Sequence, residues 1–328
     1  KRQVLSRASS LWRAMERVRL ESLAPRGWPS PTVTIGNFDG VHLGHQALID
    51  SAARWAEPER GRTVVLTLDP HPARLLDPAR APATLTTVDQ KGELLAALGV
   101  DAFAVLPFTA ALARCSPEEF VRQVLVEALE ARRVVVGEDF RFGHQRRGDV
   151  TALEALGARL GFGVQAVAPV LHGGKPVSSS RVREALARGQ VEEARELLGR
   201  PFFIDGRVVE GERRGRTLGF PTANLETPNE TLPREGVYAA RCRVPSGRWA
   251  GAVVNIGRRP TFGGDTVSVE AHLIDFDGDL YGTDLRTEFV EHLREERRFD
   301  GPEALVAQIR QDVSRARGAV ADSPGKGV

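Results

Sequence analysis

The feature that most limits the fold is an alternation of short apolar runs with helical stretches, which continues to about residue 198. The apolar runs, each predicted to form a strand, are 32–36, 62–68, 101–108, 132–137 and 162–170. The stretches with helical periodicity are 43–56, 88–98, 116–129 and 149–160. Apolar strands separated by helices indicate a parallel sheet with right-handed crossovers. The sequence therefore predicts a Rossmann-like α/β domain over residues 15–188.

After about residue 200 the pattern changes to strand-like runs joined by Gly/Pro turns, with no helical stretch before 303–316. Short strands followed by one terminal helix predict a small antiparallel β-barrel over 201–317. A length of 328 residues fits two such domains. Between them we expect a linker helix at 189–200. At the chain ends we expect a leader over 1–14, a biological start at Met15, and a flexible tail over 318–328.

Composition limits the function classes. Two cysteines, Cys115 and Cys242, exclude a disulfide scaffold and fit the reducing cytoplasm. No apolar run reaches the 18 residues of a membrane span. A net charge of +2 gives no argument for a nucleic-acid partner. Arginine supplies 41 of the 45 basic residues, which indicates either genomic base composition or phosphate recognition.

The most informative segment is 34–49, TIGNFDGVHLGHQALI. A predicted strand ends at Gly36, and a helix begins near His42 and His45, which project from one face of its first turn. Three features together favour phosphate binding: the end of a strand, glycines such as Gly44 that let the backbone come close to a ligand, and the N-terminus of a helix. Three other interpretations remain: metal-ligating histidines, histidines with only a structural role, and a dinucleotide fingerprint. The patterns H-E-x-x-H, G-x-G-x-x-G and G-x-x-x-x-G-K-[ST] are absent from this segment.

Two further segments carry polar side chains in a pattern that suits anions or metals. In the first, Ser178, Ser179 and Ser180 precede Arg183 at a helix start, which suits either phosphate or a plain N-cap. In the second, the Gly/Arg-rich stretch 211–219 leads into P-T-A-N at 221–224. There a hydroxyl and an amide two residues apart share one face of an extended chain and suit nucleotide-borne Mg²⁺. A glycine-rich hairpin loop is the alternative for this second segment.

The ten residues G-N-F-D-G-V-H-x-G-H at 36–45 resemble the nucleotidyltransferase superfamily. Within it they match the adenylyltransferase part of the bacterial bifunctional riboflavin kinase/FMN adenylyltransferase family, also called FAD synthetase. Three more segments are similar to that family: 67–72, with Leu68 where Phe is usual; 136–143; and 177–183, with Ser180 where Thr is usual.

The second half resembles the riboflavin kinase part of the same family. The signature G-x-x-x-G-R-x-L-G-x-P-T-A-N lies at 211–224, and similar segments lie at 255–263, 268–282 and 293–299. The resemblance spans roughly residues 15–317. It implies phosphorylation of riboflavin to FMN by the barrel and adenylylation of FMN to FAD by the α/β domain, with ATP as co-substrate and Mg²⁺ as cofactor.

The resemblance also implies residue roles. The implied catalytic residues are His42, His45, Arg183 and Glu270. The implied nucleotide contacts are Gly36, Asn37, Phe38, Asp39, Gly44, Ser178, Ser179, Ser180, Gly215, Arg216, Gly219, Pro221 and Arg294. The implied flavin contacts are Asp139, Phe140 and Arg141, and the implied Mg²⁺ ligands are Thr222 and Asn224. We expect riboflavin, FMN and ATP as partners, with no nucleic acid and no membrane, and leave homo-oligomerisation open.

Three other functions stay open at this stage. One is a nucleotidyltransferase of different specificity with a degenerate flavin-binding barrel, against which the complete P-T-A-N and Glu270 argue. Another is an arginine-rich nucleic-acid-binding protein, which would show a steep salt dependence of its affinity for RNA. The last is a flavin sensor, which would bind FMN or FAD without consuming ATP.

Overall fold

In the computed structural model, the described residues are 15–210, 219–261 and 264–322. The chain divides into two compact units, with the division between Ser178 and Ser179. The leader prediction for 1–14 lies outside the described residues. Among the described residues, no helix has both the length and the apolar character needed to cross a membrane.

The first unit contains a six-stranded parallel sheet in the order β1-β4-β3-β2-β5-β6. Its strands are β1 (Glu16–Arg19), β2 (Thr32–Ile35), β3 (Thr63–Asp69), β4 (Ala102–Pro107), β5 (Arg133–Gly137) and β6 (Gly163–Val167). The parallel sheet is confirmed. Strand β1 was not predicted because its sequence, ERVR, is three-quarters charged and contains no apolar run. A small hairpin adds β7 (Leu171–His172) and β8 (Lys175–Pro176).

The described part of the first unit has the helices α1 (Leu43–Ala56), α2 (Pro72–Leu76), α3 (Val88–Ala97), α4 (Ala110–Arg114), α5 (Pro117–Phe120) and α6 (Val150–Leu160). Helix α5 continues as a π-helical segment, Val121–Ala128, and short 3₁₀ turns lie at Glu57–Glu59, Pro78–Arg80 and His144–Arg146. Ser116 forms a capping box with Glu119 at the start of α5. The core consists of buried apolar side chains from the central strands and from the helices that cover them.

The strand order places β2 at a special position. Strand β2 pairs with β3 on one side and with β5 on the other. The chain therefore proceeds from β2 to one half of the sheet and returns through β5 to the other half. The carboxyl end of β2 is a topological switch point, where the crevice of an open α/β sheet binds its ligand.

Within the described residues, the second unit contains two helices, a closed six-stranded barrel and a terminal helix. Its elements are α7 (Ser179–Ala187), α8 (Val191–Leu198), β9 (Phe203–Val209), β10 (Ala223–Glu226), β11 (Gly236–Arg243), β12 (Trp249–Thr261), β13 (Gly264–Leu273), β14 (Asp284–Arg294) and α9 (Pro302–Asp322). The strands are antiparallel and close in the order β10-β13-β12-β11-β14-β9. The antiparallel barrel with a terminal helix is confirmed.

Two boundaries differ from the prediction. Helix α7 lies in the second unit, where the Arg234 N–H donates a hydrogen bond of 2.9 Å to the Leu186 carbonyl. Helix α9 continues to Asp322, through the first part of the predicted tail at 318–328. It does so because Ala316 is fully buried and Ala319 packs against the same cluster, which prolongs the apolar face of the helix. The rest of that tail lies outside the described residues.

Candidate active sites

The loop after β2 has an unusual backbone path. Phe38, Gly40 and Val41 all have left-handed conformations, with φ of 47°, 79° and 42°. Left-handed conformations are strained for side chains other than glycine and persist only where the surroundings impose them. Here burial imposes them, since Phe38 is 0% and Val41 is 1% exposed. The loop is therefore rigidly shaped and delivers the chain to the N-terminus of α1.

Asp39 fastens this loop to the segment before α3. Its buried carboxylate accepts hydrogen bonds from the Leu85 N–H (2.9 and 3.1 Å) and from the Thr86 N–H (3.2 Å). Bonds from backbone N–H groups to a carboxylate are charge-assisted and strong. The predicted nucleotide contact Asp39 thus has a structural task of its own.

Asn37 is held through both its backbone and its side chain. Its carbonyl accepts a hydrogen bond from Lys91 Nζ at 2.6 Å and one from Thr67 Oγ1 at 3.1 Å. Its amide nitrogen lies 3.0 Å from His71 Nε2. The motif analysis did not assign Lys91, although one signal was present: it is one of only four lysines in an arginine-rich chain.

His42 and His45 lie together at the start of α1. His42 is the N-cap, and its Nδ1 accepts a hydrogen bond from the His45 N–H at 3.3 Å. The two rings stack with centroids 3.6 Å apart. A Cβ on Gly44 would lie 3.1 Å from the His42 ring, so glycine permits this close approach. The acceptor role of Nδ1 leaves the ring proton of a neutral His42 on Nε2.

The electrostatic environment keeps His45 neutral. Burial lowers the pKa of His45 well below its ordinary value of 6.5, and the neighbouring His42 and Lys91 lower this pKa further. Its Nδ1 is buried and has no hydrogen-bond partner among the described residues. A neutral imidazole at a helix N-terminus donates a hydrogen bond without carrying a full charge. This pair is therefore suited to meet negative charge that develops on a phosphoryl group.

The predicted flavin loop follows β5, so it starts at the same edge of the sheet as the β2 loop. Asp139 and Arg141 are exposed there, and Phe140 is half-buried. The Phe140 ring stacks on the buried Phe142 ring, with centroids 5.5 Å apart. The loop thus presents two charged side chains beside an aromatic one.

The hydroxyl cluster crosses the division between the two units. Ser178 is the last residue of the first unit, and Ser179, Ser180 and Arg183 lie in α7 of the second. Their assignment to the same site as His45 stays a prediction.

The barrel contains a cavity of about 540 Å³. Pro221, Thr222 and Ala223 of the P-T-A-N segment line it. The segment from Phe276 to Tyr281 lines it as well. The cavity has the size of a small-molecule site. The Pro221 carbonyl accepts a hydrogen bond from His272 Nδ1 at 2.9 Å, which ties this segment to β13.

Glu270 lies in a row of polar residues across three strands. In the β-sheet register it is directly opposite Asn224 of β10 and directly opposite Asn255 of β12. Directly opposed residues point to the same face of a sheet, so the carboxylate stands between two amides. All three residues are half-buried, whereas their neighbours along each strand, such as Val269 and Ala271, are buried. The register thus brings two of the predicted residues, Asn224 and Glu270, together.

Arg294 joins β14 to the terminal helix, and its contact with nucleotide stays a prediction. Its guanidinium donates to the Asp312 carboxylate of α9 at 2.9 and 3.0 Å. It also lies over the Phe299 ring at 5.6 Å. This geometry fastens the terminal helix to β14. Two other predicted nucleotide contacts, Gly215 and Arg216, lie outside the described residues, and Gly219 begins the next described segment with φ of 83°.

No group of three or more His, Cys, Asp or Glu side chains among the described residues is placed to hold a metal ion. Thr222 and Asn224 offer a hydroxyl and an amide oxygen, both ligand types that suit Mg²⁺. Both are half-buried and flank the buried Ala223, which is the alternation expected for side chains on one face. They fit a Mg²⁺ ion that takes its remaining ligands from a nucleotide and water.

The first unit has the sheet and helix-start histidines of a nucleotidyltransferase, and it is followed in the chain by a kinase-type barrel. A family model described as FAD synthetase matches residues 26–181, and one described as riboflavin kinase matches residues 198–320. The chain belongs to the family of bifunctional riboflavin kinase/FMN adenylyltransferases, and it is a transferase.

Several curated relatives carry that family name. One from Pseudomonas fluorescens is 42% identical over 88% of this chain and 93% of its own length. One from Escherichia coli K12 is 39% identical over 87% and 91%. A solved structure from Streptococcus pneumoniae, titled as a macrolide-efflux protein, is 30% identical with a TM-score of 0.84 and covers 92% of this chain and 99% of its own.

Proposed function

We propose that the first unit adenylylates FMN through the residues at the carboxyl end of β2. A phosphate oxygen of FMN attacks the α-phosphorus of ATP, the bond to the β-phosphate oxygen breaks, and pyrophosphate leaves with FAD as the other product. The observation that carries this assignment is the stacking of the His42 and His45 rings at a helix N-terminus located at the topological switch point. No covalent enzyme intermediate is needed, so catalysis consists of positioning and charge stabilisation.

The other residues of this site serve binding. Gly36, Asn37 and Phe38 contact the nucleotide, and Asp39 supports them by fixing the loop to Leu85 and Thr86. The exposed Asp139–Arg141 loop contacts the flavin. We also assign Ser178–Ser180, Arg183 and Gly44 to this reaction, on the similarity of their segments to the family motifs.

We further propose that the barrel phosphorylates riboflavin with ATP. Glu270 acts as the base that accepts the proton of the riboflavin 5′-hydroxyl as its oxygen attacks the γ-phosphorus, and ADP leaves. Supporting this role, Glu270 lies directly opposite both Asn224 and Asn255 in the sheet register. Thr222 and Asn224 would hold Mg²⁺, which neutralises phosphate charge when bound, while the 211–219 segment and Pro221 contact ATP.

We place the protein in the cytoplasm, with riboflavin, FMN and ATP as its partners. Both cysteines are free thiols, which fits a reducing compartment.

One incubation tests both reactions together. The purified protein is mixed with riboflavin, ATP and Mg²⁺, and flavins are separated over time. We expect FMN to appear first and FAD to follow. FMN without FAD would overturn the adenylyltransferase assignment. FAD formed only from added FMN would overturn the kinase assignment. Flavin binding without turnover would overturn both assignments and indicate a flavin sensor.

A further inference from the structure

Lys91 is an unusual residue for its position. It lies in α3 and is only 8% exposed, yet it carries a side chain that is almost never fully buried without a partner. The sequence motifs do not include it. Its ammonium group ends at the β2 loop, where Nζ lies 2.6 Å from the Asn37 carbonyl and 3.4 Å from Thr67 Oγ1.

The Asn37 carbonyl is consequently fixed by two donors, Lys91 and Thr67. A trans peptide is planar, so the N–H on the far side of the bond points opposite to the carbonyl. Fixing the Asn37 carbonyl toward Thr67 therefore directs the Phe38 N–H away from Thr67 and from its strand, β3. Strand β5, on the other side of β2, borders the crevice at the switch point.

We propose that Lys91 is a positioning residue for adenylyl transfer, which holds the 37–38 peptide so that the Phe38 N–H faces the phosphate that reacts. This inference rests on the adenylyltransferase function proposed above and deepens it. Lys91 does not touch the substrate and takes no proton. It acts through the carbonyl that it holds, and through its charge.

The charges around Lys91 support this positioning role. Burial lowers the pKa of Lys91, while the nearby Asp39 and Asp69 carboxylates raise it and so favour the ammonium form. Across the loop, that ammonium helps to lower the pKa of His45, which faces His42 as well. Lys91 therefore contributes both to the shape of the loop and to the neutrality of the imidazole.

The test replaces Lys91 by Met, which keeps the length of the side chain and removes the donor and the charge. We expect kcat for FAD formation from FMN to fall about 100-fold, the loss typical of a misplaced reacting geometry. We expect the KM values for FMN and ATP to change less than about threefold, because the held amide acts mainly on charge that develops in the transition state. FMN formation from riboflavin by the same molecule serves as the internal control and should stay unchanged.

The pH profile separates positioning from a merely structural role. Without the ammonium, the pKa of His45 rises, so the acidic limb of kcat/KM for FAD formation should move to higher pH in Lys91→Met. Lys91→Arg, which retains the charge and a donor, should restore the position of that limb and part of kcat. Thr67→Val removes the weaker, uncharged donor to the Asn37 carbonyl. This variant should leave the acidic limb of kcat/KM at its wild-type pH.

The outcomes are distinguishable. Wild-type protein that forms no FAD would contradict the proposed function itself. Suppose instead that the wild-type protein forms FAD. If Lys91→Met then forms FAD equally fast, or if the acidic limb of its pH profile has not moved, only the role of Lys91 is overturned. Thermal unfolding of each variant shows whether it is folded, and Lys91→Arg keeps the question answerable if the Met variant is not.

Discussion

In the proposed sites, single side chains separate the two reactions, because each site depends on a group that the other lacks. The proposal has the α1 histidines meet phosphate charge, whereas the barrel uses a carboxylate opposite two amides. We predict that His45→Ala lowers the rate of FAD formation about 10²- to 10³-fold, as loss of one preorganised donor does. FMN formation from riboflavin should be unaffected. Separate assays with riboflavin and with FMN measure the two rates.

The converse variant affects the other rate. Glu270→Ala should lower FMN formation about 10²- to 10⁴-fold, the range typical of general-base catalysis, and leave FAD formation from added FMN intact. His172→Ala, in the β7–β8 hairpin, is a histidine control that should change neither rate. Equal loss of both activities in either site variant would refute the assignment of one reaction to each unit.

His45 also couples stability to pH. Its pKa is lower in the folded protein than the ordinary 6.5 of the unfolded chain, chiefly because of burial. The unfolded state therefore binds a proton that the folded state does not as pH falls below about 6.5. The contribution of His45 is fully present above that pH and decreases as pH falls toward the folded pKa. We expect His45→Gln to flatten the decline in the free energy of unfolding between pH 7 and pH 5, measured by urea titration; an unchanged slope would contradict a depressed pKa.

Residue-level prediction from sequence worked where a motif has a fixed local geometry. His42 and His45 come together because they are three apart on a helix, which spacing alone establishes. Lys91 escaped because its contact with Asn37 joins residues 54 positions apart through tertiary packing. The pairing of Arg294 with Asp312 was missed for the same reason, because it joins two elements of the folded chain.

Among the elements, the terminal helix depends on one nearly buried ion pair. Asp312 is 2% exposed and Arg294 is 18% exposed. Removal of one partner from such a pair leaves a charge with little access to water. We predict that Asp312→Ala lowers the free energy of unfolding by about 3 kcal/mol, at the low end for buried pairs because the arginine retains some solvent contact. Urea titration of the full chain measures this loss.

A matched control lies on the same helix. Arg317 pairs with Asp275 at 2.7 Å, and both side chains are more than half exposed. We expect Asp275→Ala to change the free energy of unfolding by less than about 1 kcal/mol. Similar losses in the two aspartate variants would mean that burial does not govern the attachment of the helix.

Elements were predictable where their patterning is strong. Strands β2 to β5 are apolar runs because both faces of a central parallel strand are covered, and helix α1 has its predicted bounds, 43–56. Strand β1 was missed because a charged tetrapeptide forms a strand only through its pairing with β4. Helix α9 was predicted too short, because small residues near its end carry no clear pattern until their packing is seen.

For the whole molecule, two independent sites imply that two defective proteins can complement each other. Neither His45→Ala nor Glu270→Ala should convert riboflavin to FAD by itself. An equimolar mixture should do so after a lag, since FMN released by the first variant is substrate for the second. The flavins are separated over time to measure this. If each variant behaves as expected alone but the mixture makes no FAD, then FMN does not pass through solution between the two sites.

The two cysteines offer one reporter in each unit. Burial raises the pKa of the Cys242 thiol in the barrel to about 11, and burial also raises the pKa of the half-buried Cys115 thiol in the first unit. Because the thiolate is the reactive form, we expect Cys242 to resist alkylation at pH 8 until the barrel unfolds. Cys115 should react faster in native protein. Mass spectrometry after labelling at increasing urea measures both, and fast labelling of Cys242 without urea would contradict its burial.

Strand β1 has a consequence for the protein in a crowded cell. It is the outermost strand on its side of the sheet, and such a rim can template the addition of a strand from another chain. Its sequence ERVR would force an incoming strand to lie against Glu16, Arg17 and Arg19, whose charges already form ion pairs with Arg62, Asp89 and Asp69. The barrel closes on itself and has no such rim. The charges that hid β1 from sequence analysis thus protect the sheet from aggregation.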